Sequence, residues 1–233
     1  MQNLKELKDR LEKLPQLKGE MQFASCFGQY TEKVSQSGEK LRKVQQDMGY
    51  IAKVYPNAEC EQEVLPYVKL SIREAKKLYK DINEDVKKVM SHATDKGIVQ
   101  LGEYAKTAKT KCKDTWEREK MKIVTEWEKM ANVVQILDPD KGEELKQVVD
   151  RIEGQKIPQD DEGVDQIKTD IEKLKSCIKD LEFDDPFVKF LKSTVEGGAS
   201  LKVLSKENPH SDEIMKKLKE RDLWDSFRIR FLE

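Results

Sequence analysis

The chain is poor in the residues that interrupt helices and in those that build reactive centres. Its 233 residues include 11 glycines and 7 prolines, too few for a fold of many short strands and tight turns. Four cysteines, Cys26, Cys60, Cys112 and Cys177, lie far apart, and only His92 and His210 stand beside them. That set lacks the close ligand spacing of a zinc site, and no metal or other cofactor is expected. No apolar run approaches the ~20 residues that cross a bilayer, and no secretory leader is legible. Scarce cysteine on a helical chain reads as a cytoplasmic protein with reduced thiols. No glycine-rich phosphate loop is present either: Gly197-Gly198 lacks both the preceding strand and the Gly-Lys-Ser/Thr ending.

What the chain does have is charge, at 38% of residues against 37% hydrophobic, with a net charge of −1. High charge with little glycine or proline is the composition of long helices that bury a stripe rather than a whole surface. The charge is unevenly placed. Residues 138–186 hold 8 basic and 16 acidic side chains, whereas residues 187–233 hold 10 and 8.

The clearest pattern runs from residue 68 to residue 137. Val68, Ile72, Ala75, Tyr79, Ile82, Val86, Val89 and Ala93 alternate steps of four and three. After Asp95-Lys96-Gly97 the spacing resumes at Ile98, Leu101, Ala105, Ala108 and Cys112. A four-residue step then leads to Trp116, Ile123, Trp127, Met130, Val134 and Leu137. Such alternation is a coiled-coil seam, so the sequence predicts an antiparallel helical hairpin turning at residues 95–97, with Pro66 in the first turn of its first arm. Both tryptophans fall on the seam and read as core, and Cys112 reads as a small buried hydrophobe.

Upstream, Leu4, Leu7, Leu11 and Leu14 predict a short helix that stops at Pro15. A second helix is expected over 17–55, with a break where Gly28, Ser35, Ser37 and Gly38 fall. Downstream, Asp138-Pro139 predicts a stop. Leu145, Val148, Val149 and Ile152 mark a short helix, an acidic loop at 153–163 reads as disordered, and Val164 to Leu181 form another heptad helix. His92 reads as lying near a helix C-terminus, and His210 in a loop.

From Pro186 the texture changes to short helices, the last capped by Ser211, then the alternating Phe227-Arg228-Ile229-Arg230-Phe231. That order matches a winged helix-turn-helix, in which Lys216, Lys217, Lys219 and Arg221 on the last helix, with Arg228 and Arg230 on the wing, are the candidate nucleic-acid contacts. Asp212, Glu213, Glu220 and Asp222 dilute this charge. The lysines of the hairpin, Lys106, Lys109, Lys111, Lys113, Lys120 and Lys122 with Arg118, read chiefly as a solvated face.

The fold class expected is all-α: an elongated antiparallel bundle or coiled coil over 1–137, an acidic connector with one heptad helix over 138–185, and a small terminal subdomain over 186–233. Slender helices set distances well and make poor pockets, so no enzyme and no small-molecule substrate is expected. The function read here is a non-catalytic scaffold or adaptor, working through coiled-coil contact with a protein partner or a second copy. Nucleic-acid binding through the terminal subdomain is the alternative, and peripheral binding of anionic membrane by the basic helices ranks third.

Overall fold

The computed structural model describes residues 2–179, 185–196 and 201–224. Among these the protein is all-α, a helical bundle with no strand. The helices are α1 (Gln2–Val54), α2 (Cys60–Glu84), α3 (His92–Leu137), α4 (Pro139–Gly154), α5 (Asp161–Cys177), α6 (Pro186–Glu196) and α7 (Ser211–Glu220). Short 3-10 turns lie at Val86–Met90 and Leu201–Leu204. The contacts gather into two compact units, one made of residues 1–119 with 157–161 and the other of 120–156 with 162–233. The strand-like segment 227–231 lies outside the described residues.

In the first unit α1, α2 and the start of α3 share a seam. α1 is one helix, neither stopped at Pro15 nor broken at Gly28–Gly38. The ring of Pro15 is exposed, so no neighbour compounds its lost hydrogen bond. Through the glycines the four–three row continues as Tyr30, Val34, Ser37, Leu41, Val44, Met48 and Ile51, with Ser37 buried in place of an apolar residue. The Ser37 hydroxyl donates to the Lys33 carbonyl at 2.9 Å, which satisfies it inside the seam. A serine at a core position is why the row reads poorly in sequence.

The link between the hairpin arms is also displaced from its expected place. It spans residues 85–91. The Asp85 carboxylate accepts from the Lys87 N–H at 3.0 Å, and the Ser91 hydroxyl accepts from the Thr94 N–H at 3.2 Å. Thr94 in turn donates to the Lys88 carbonyl at 2.6 Å. The Asp85 carboxylate caps the 3-10 turn and the Ser91 hydroxyl caps the start of α3, which fixes the link. Gly97 is therefore helical, and it is small for a different reason. A Cβ there would lie 2.7 Å from Leu78 Cδ2 and 2.9 Å from Glu74 Oε1, so the glycine lets α3 approach α2. His92 opens α3 rather than closing a helix. Pro66 lies inside α2, whose start is drawn back to Cys60 by the burial of Cys60 and Val64.

In the second unit Asp138 joins α3 to α4. Its carboxylate accepts from the Lys141 N–H at 3.1 Å, and Pro139 occupies the first turn. Val124, Ala131 and Val134 of α3 pack with Leu145, Val148, Val149 and Ile152 of α4 and Leu174 of α5. A second cluster joins Val133, Phe187, Phe190, Leu191, Ile214 and Leu218. Gly142 is the closest approach: a Cβ would stand 2.3 Å from Gln135 Cα, on backbone that has nowhere to go. The acidic segment between α4 and α5 is ordered against α1 within the first unit. Pro158 is buried, Lys43 donates to Gln159, and Lys53 pairs with Asp161 at 2.5 Å.

Candidate interaction surface

α2 carries two apolar rows, and the structure chooses between them in an unexpected way. The covered face comprises Val64, Ser71, Glu74, Leu78 and Ile82, two of them polar. The row expected as seam, Val68, Ile72, Ala75, Tyr79 and Ile82, shares Ile82 with that face but runs one residue round the helix at Ile72, Ala75 and Tyr79. Val68 and Ala75 are half-buried, whereas Ile72 is 44% exposed and Tyr79 70%. Leu78, Ile98 and Leu101 with Tyr30, Val34 and Ala75 explain the choice: Leu78 is the larger anchor and fits the space that Gly97 leaves. Four–three spacing defines a stripe but not which of two neighbouring stripes a given partner covers.

α1 shows the same condition at its other end. Its row is covered from Tyr30 onward, yet Leu17 is 52%, Met21 74% and Phe27 41% exposed. Phe23, Phe27 and Tyr30 form a ladder along the helix, with ring centroids 6.0 and 6.4 Å apart. Apolar side chains in rows, rather than scattered singly, are the surface pattern of helix association.

The six candidate nucleic-acid contacts are placed unevenly. Lys217 reaches Asp185 at 2.5 Å and Glu213 at 3.1 Å, with its ammonium over the Phe187 ring. Arg221 donates to the Ile136 and Leu137 carbonyls at 3.4 and 2.9 Å, closing the C-terminal end of α3. Both are thus engaged within the second unit. Lys216 pairs with Glu220 at 3.7 Å on the surface, and Lys219 is exposed. Arg228 and Arg230 lie outside the described residues. Ser211 is the first residue of α7, with His210 in the capping position, and Asn208 accepts the His210 N–H at 3.1 Å.

Of the hairpin cations, Arg118 binds Glu63 at 2.9 Å and Glu119 at 3.4 Å. Lys120 is buried and donates to the Gln155 carbonyl at 3.1 Å, so it is no part of a solvated face. Trp116 is fully buried with its ring 5.1 Å from that of Tyr55, as core, while Trp127 is half-buried. Burial, then the nearby Glu117 and Glu119 carboxylates, push the Tyr55 phenol up.

One grouping was not visible in sequence. Cys60 of α2 and Cys112 of α3, distant along the chain, are both buried in the first unit. One turn on, Glu63 accepts from the Thr115 hydroxyl at 3.0 Å as well as from Arg118, so charge and thiols share one stretch of the seam.

No family model, curated protein or solved structure matches the chain. Among the described residues no helix is long and apolar enough to cross a membrane.

Proposed function

We propose that the protein is a non-catalytic scaffold or adaptor that receives a partner helix, from another protein or a second copy, along the outer row of α2. The observation that carries this reading is the exposure of Ile72 and Tyr79 on a row with coiled-coil spacing, while Ser71 and Glu74 occupy the interior. The bare stretch of α1 at Leu17, Met21 and Phe27 supports it independently. Lys76, Lys77, Lys80 and Glu84 flank the α2 row, a mixed-sign border that suits interhelical ion pairs.

The test is a pull-down and a sedimentation measurement on the wild-type chain and on the double variant Ile72→Glu, Tyr79→Glu. Both side chains are exposed, so the variant keeps its helical circular dichroism. It loses the protein partner, or the dimer, that the wild type shows. Retained association would sink the assignment of this row, and nuclease-sensitive material in place of protein would favour the terminal nucleic-acid reading instead.

A further inference from the structure

We propose that α1 pairs antiparallel with the α1 of a second copy of this chain, through a row distinct from the one it buries in its own unit. The covered row of α1 passes through Tyr30, Val34 and Ser37. One position further round lies a second row, Leu17, Met21, Ala24, Gly28, Thr31, Ser35 and Gly38, in steps of four and three, and every member is exposed. Those steps are a coiled-coil seam, yet the row is built in two halves. Leu17 and Met21, 52% and 74% exposed, are large, and the residues that follow them are all small.

Nothing inside the chain uses that smallness. A Cβ added at Gly28 or Gly38 would meet no neighbouring atom within 4 Å, although a glycine inside a helix costs stability relative to alanine. The Thr31 hydroxyl donates to the Gly28 and Phe27 carbonyls at 2.9 and 3.1 Å, so it asks nothing of a neighbour. A second copy running the other way does use it. When Leu17 lies level with Gly28 of the other copy, Met21 falls level with Ala24, and each large side chain enters the space over a small one. The two-fold axis repeats the fit on the other side. Parallel copies in register would instead set large against large and glycine against glycine.

Charge selects the same occupant. Met21 to Thr31 is the longest run of the chain without a charged side chain. In the antiparallel register Lys18 and Glu20 come level with the uncharged Phe27 and Ser25 of the other copy. Glu12 and Lys13 come level with Lys33 and Glu32, opposite in sign. From position 8 to position 37, about 45 Å of helix, no like charges come level. The parallel register would set each of these charges against its own image, which opposes pairing. The row is separate from the outer row of α2, which this dimer leaves open to a different protein.

The experiment measures sedimentation equilibrium of the full chain over a dilution series, then repeats it on the double variant Leu17→Glu, Met21→Glu. Expected is a reversible dimer for the wild type and a monomer for the variant, with unchanged helical circular dichroism because both side chains are exposed. The variant Ile72→Glu, Tyr79→Glu keeps this dimer, and the α2 row is then judged by the captured protein alone. Register is read separately. Leu17→Cys and Gly28→Cys, each in a chain that also carries Cys26→Ser and Cys177→Ser, are mixed, oxidised and mapped by mass spectrometry. Expected is a cross-link from position 17 of one chain to position 28 of the other. A wild-type monomer throughout the series, a dimer that survives Leu17→Glu, Met21→Glu or is lost with the α2 variant, or cross-links chiefly from 17 to 17 and 28 to 28 would overturn the proposal.

Discussion

The two units solve the same packing problem with different materials. The first buries Ser37, Asp47, Ser71, Glu74, Thr94 and Thr115 along its seam, together with the two thiols. The central cluster of the second is valine, leucine, isoleucine and alanine throughout, and its other buried polar groups include Asp170, held by Arg151 at 3.1 Å. Buried aliphatic area stabilises without directional demands, at roughly 25 cal/mol per Å². Buried polar groups cost stability unless satisfied, but they fix which face pairs with which. The second unit is therefore the better-packed base. The first is specified by its polar contacts and has apolar surface left over on α1 and α2.

A pair of glycines breaks this comparison most sharply. Gly142→Ala drives a methyl into the backbone of Gln135, so it should destabilise the second unit by about 3 kcal/mol or more, beyond any helix-propensity gain. Gly97→Ala in the first unit meets the ends of the Leu78 and Glu74 side chains, which can yield. Its penalty should be about 1 kcal/mol and largely offset by a propensity gain of similar size. Urea melts of the two variants give the answer, and equal losses would erase the distinction.

Acid should act next, on the second unit's terminal cluster. Burial alone would raise the Asp185 carboxyl, but the Lys217 ammonium and the Phe187 and Val188 N–H groups, at 2.7 and 3.2 Å, outweigh it and hold it below the usual range. Its contribution is present above the ordinary carboxylate pKa of about 3.9 and is lost as pH falls through the lower folded value. Lys217, raised by Asp185 and Glu213, keeps its share below about pH 10.4 and loses it as pH climbs through its raised folded value. Thermal melts of wild type and Asp185→Asn should differ at neutral pH and converge in strong acid. A constant gap would remove the pair as the cause.

The smallest effect expected is at Ser71, fully buried with a hydroxyl that has no hydrogen-bond partner among the described residues. Ser71→Ala should raise stability by up to about 1 kcal/mol, by removing a desolvated group without changing the seam. A loss of stability in the same urea melts would mean that the hydroxyl is satisfied after all.

Much of this architecture was legible because helices advertise themselves by period. The all-α class, the row from Leu41 to Tyr55, the stop at Asp138-Pro139 and the burial of Trp116 all follow from spacing and capping chemistry. What failed did so where one residue type serves two purposes. Gly97 looked like a turn and is a contact, Ser37 looked like a break and is a seam residue, and Asp85 with Ser91 made the turn without a glycine. From Ile72 to Tyr79 the stripe on α2 was read one residue out, because Leu78 and Gly97 settle the register only when both arms are in place.

The return of residues 157–161 to the first unit has a consequence for synthesis. A chain that leaves the ribosome N-terminus first exposes residues 1–119 before the lysines at 43 and 53 can meet Gln159 and Asp161. At roughly 5–20 residues per second that interval lasts about 2–8 s. During it the second unit's α4 must also emerge, so the first unit is completed only after residues 120–156 of the second have been made.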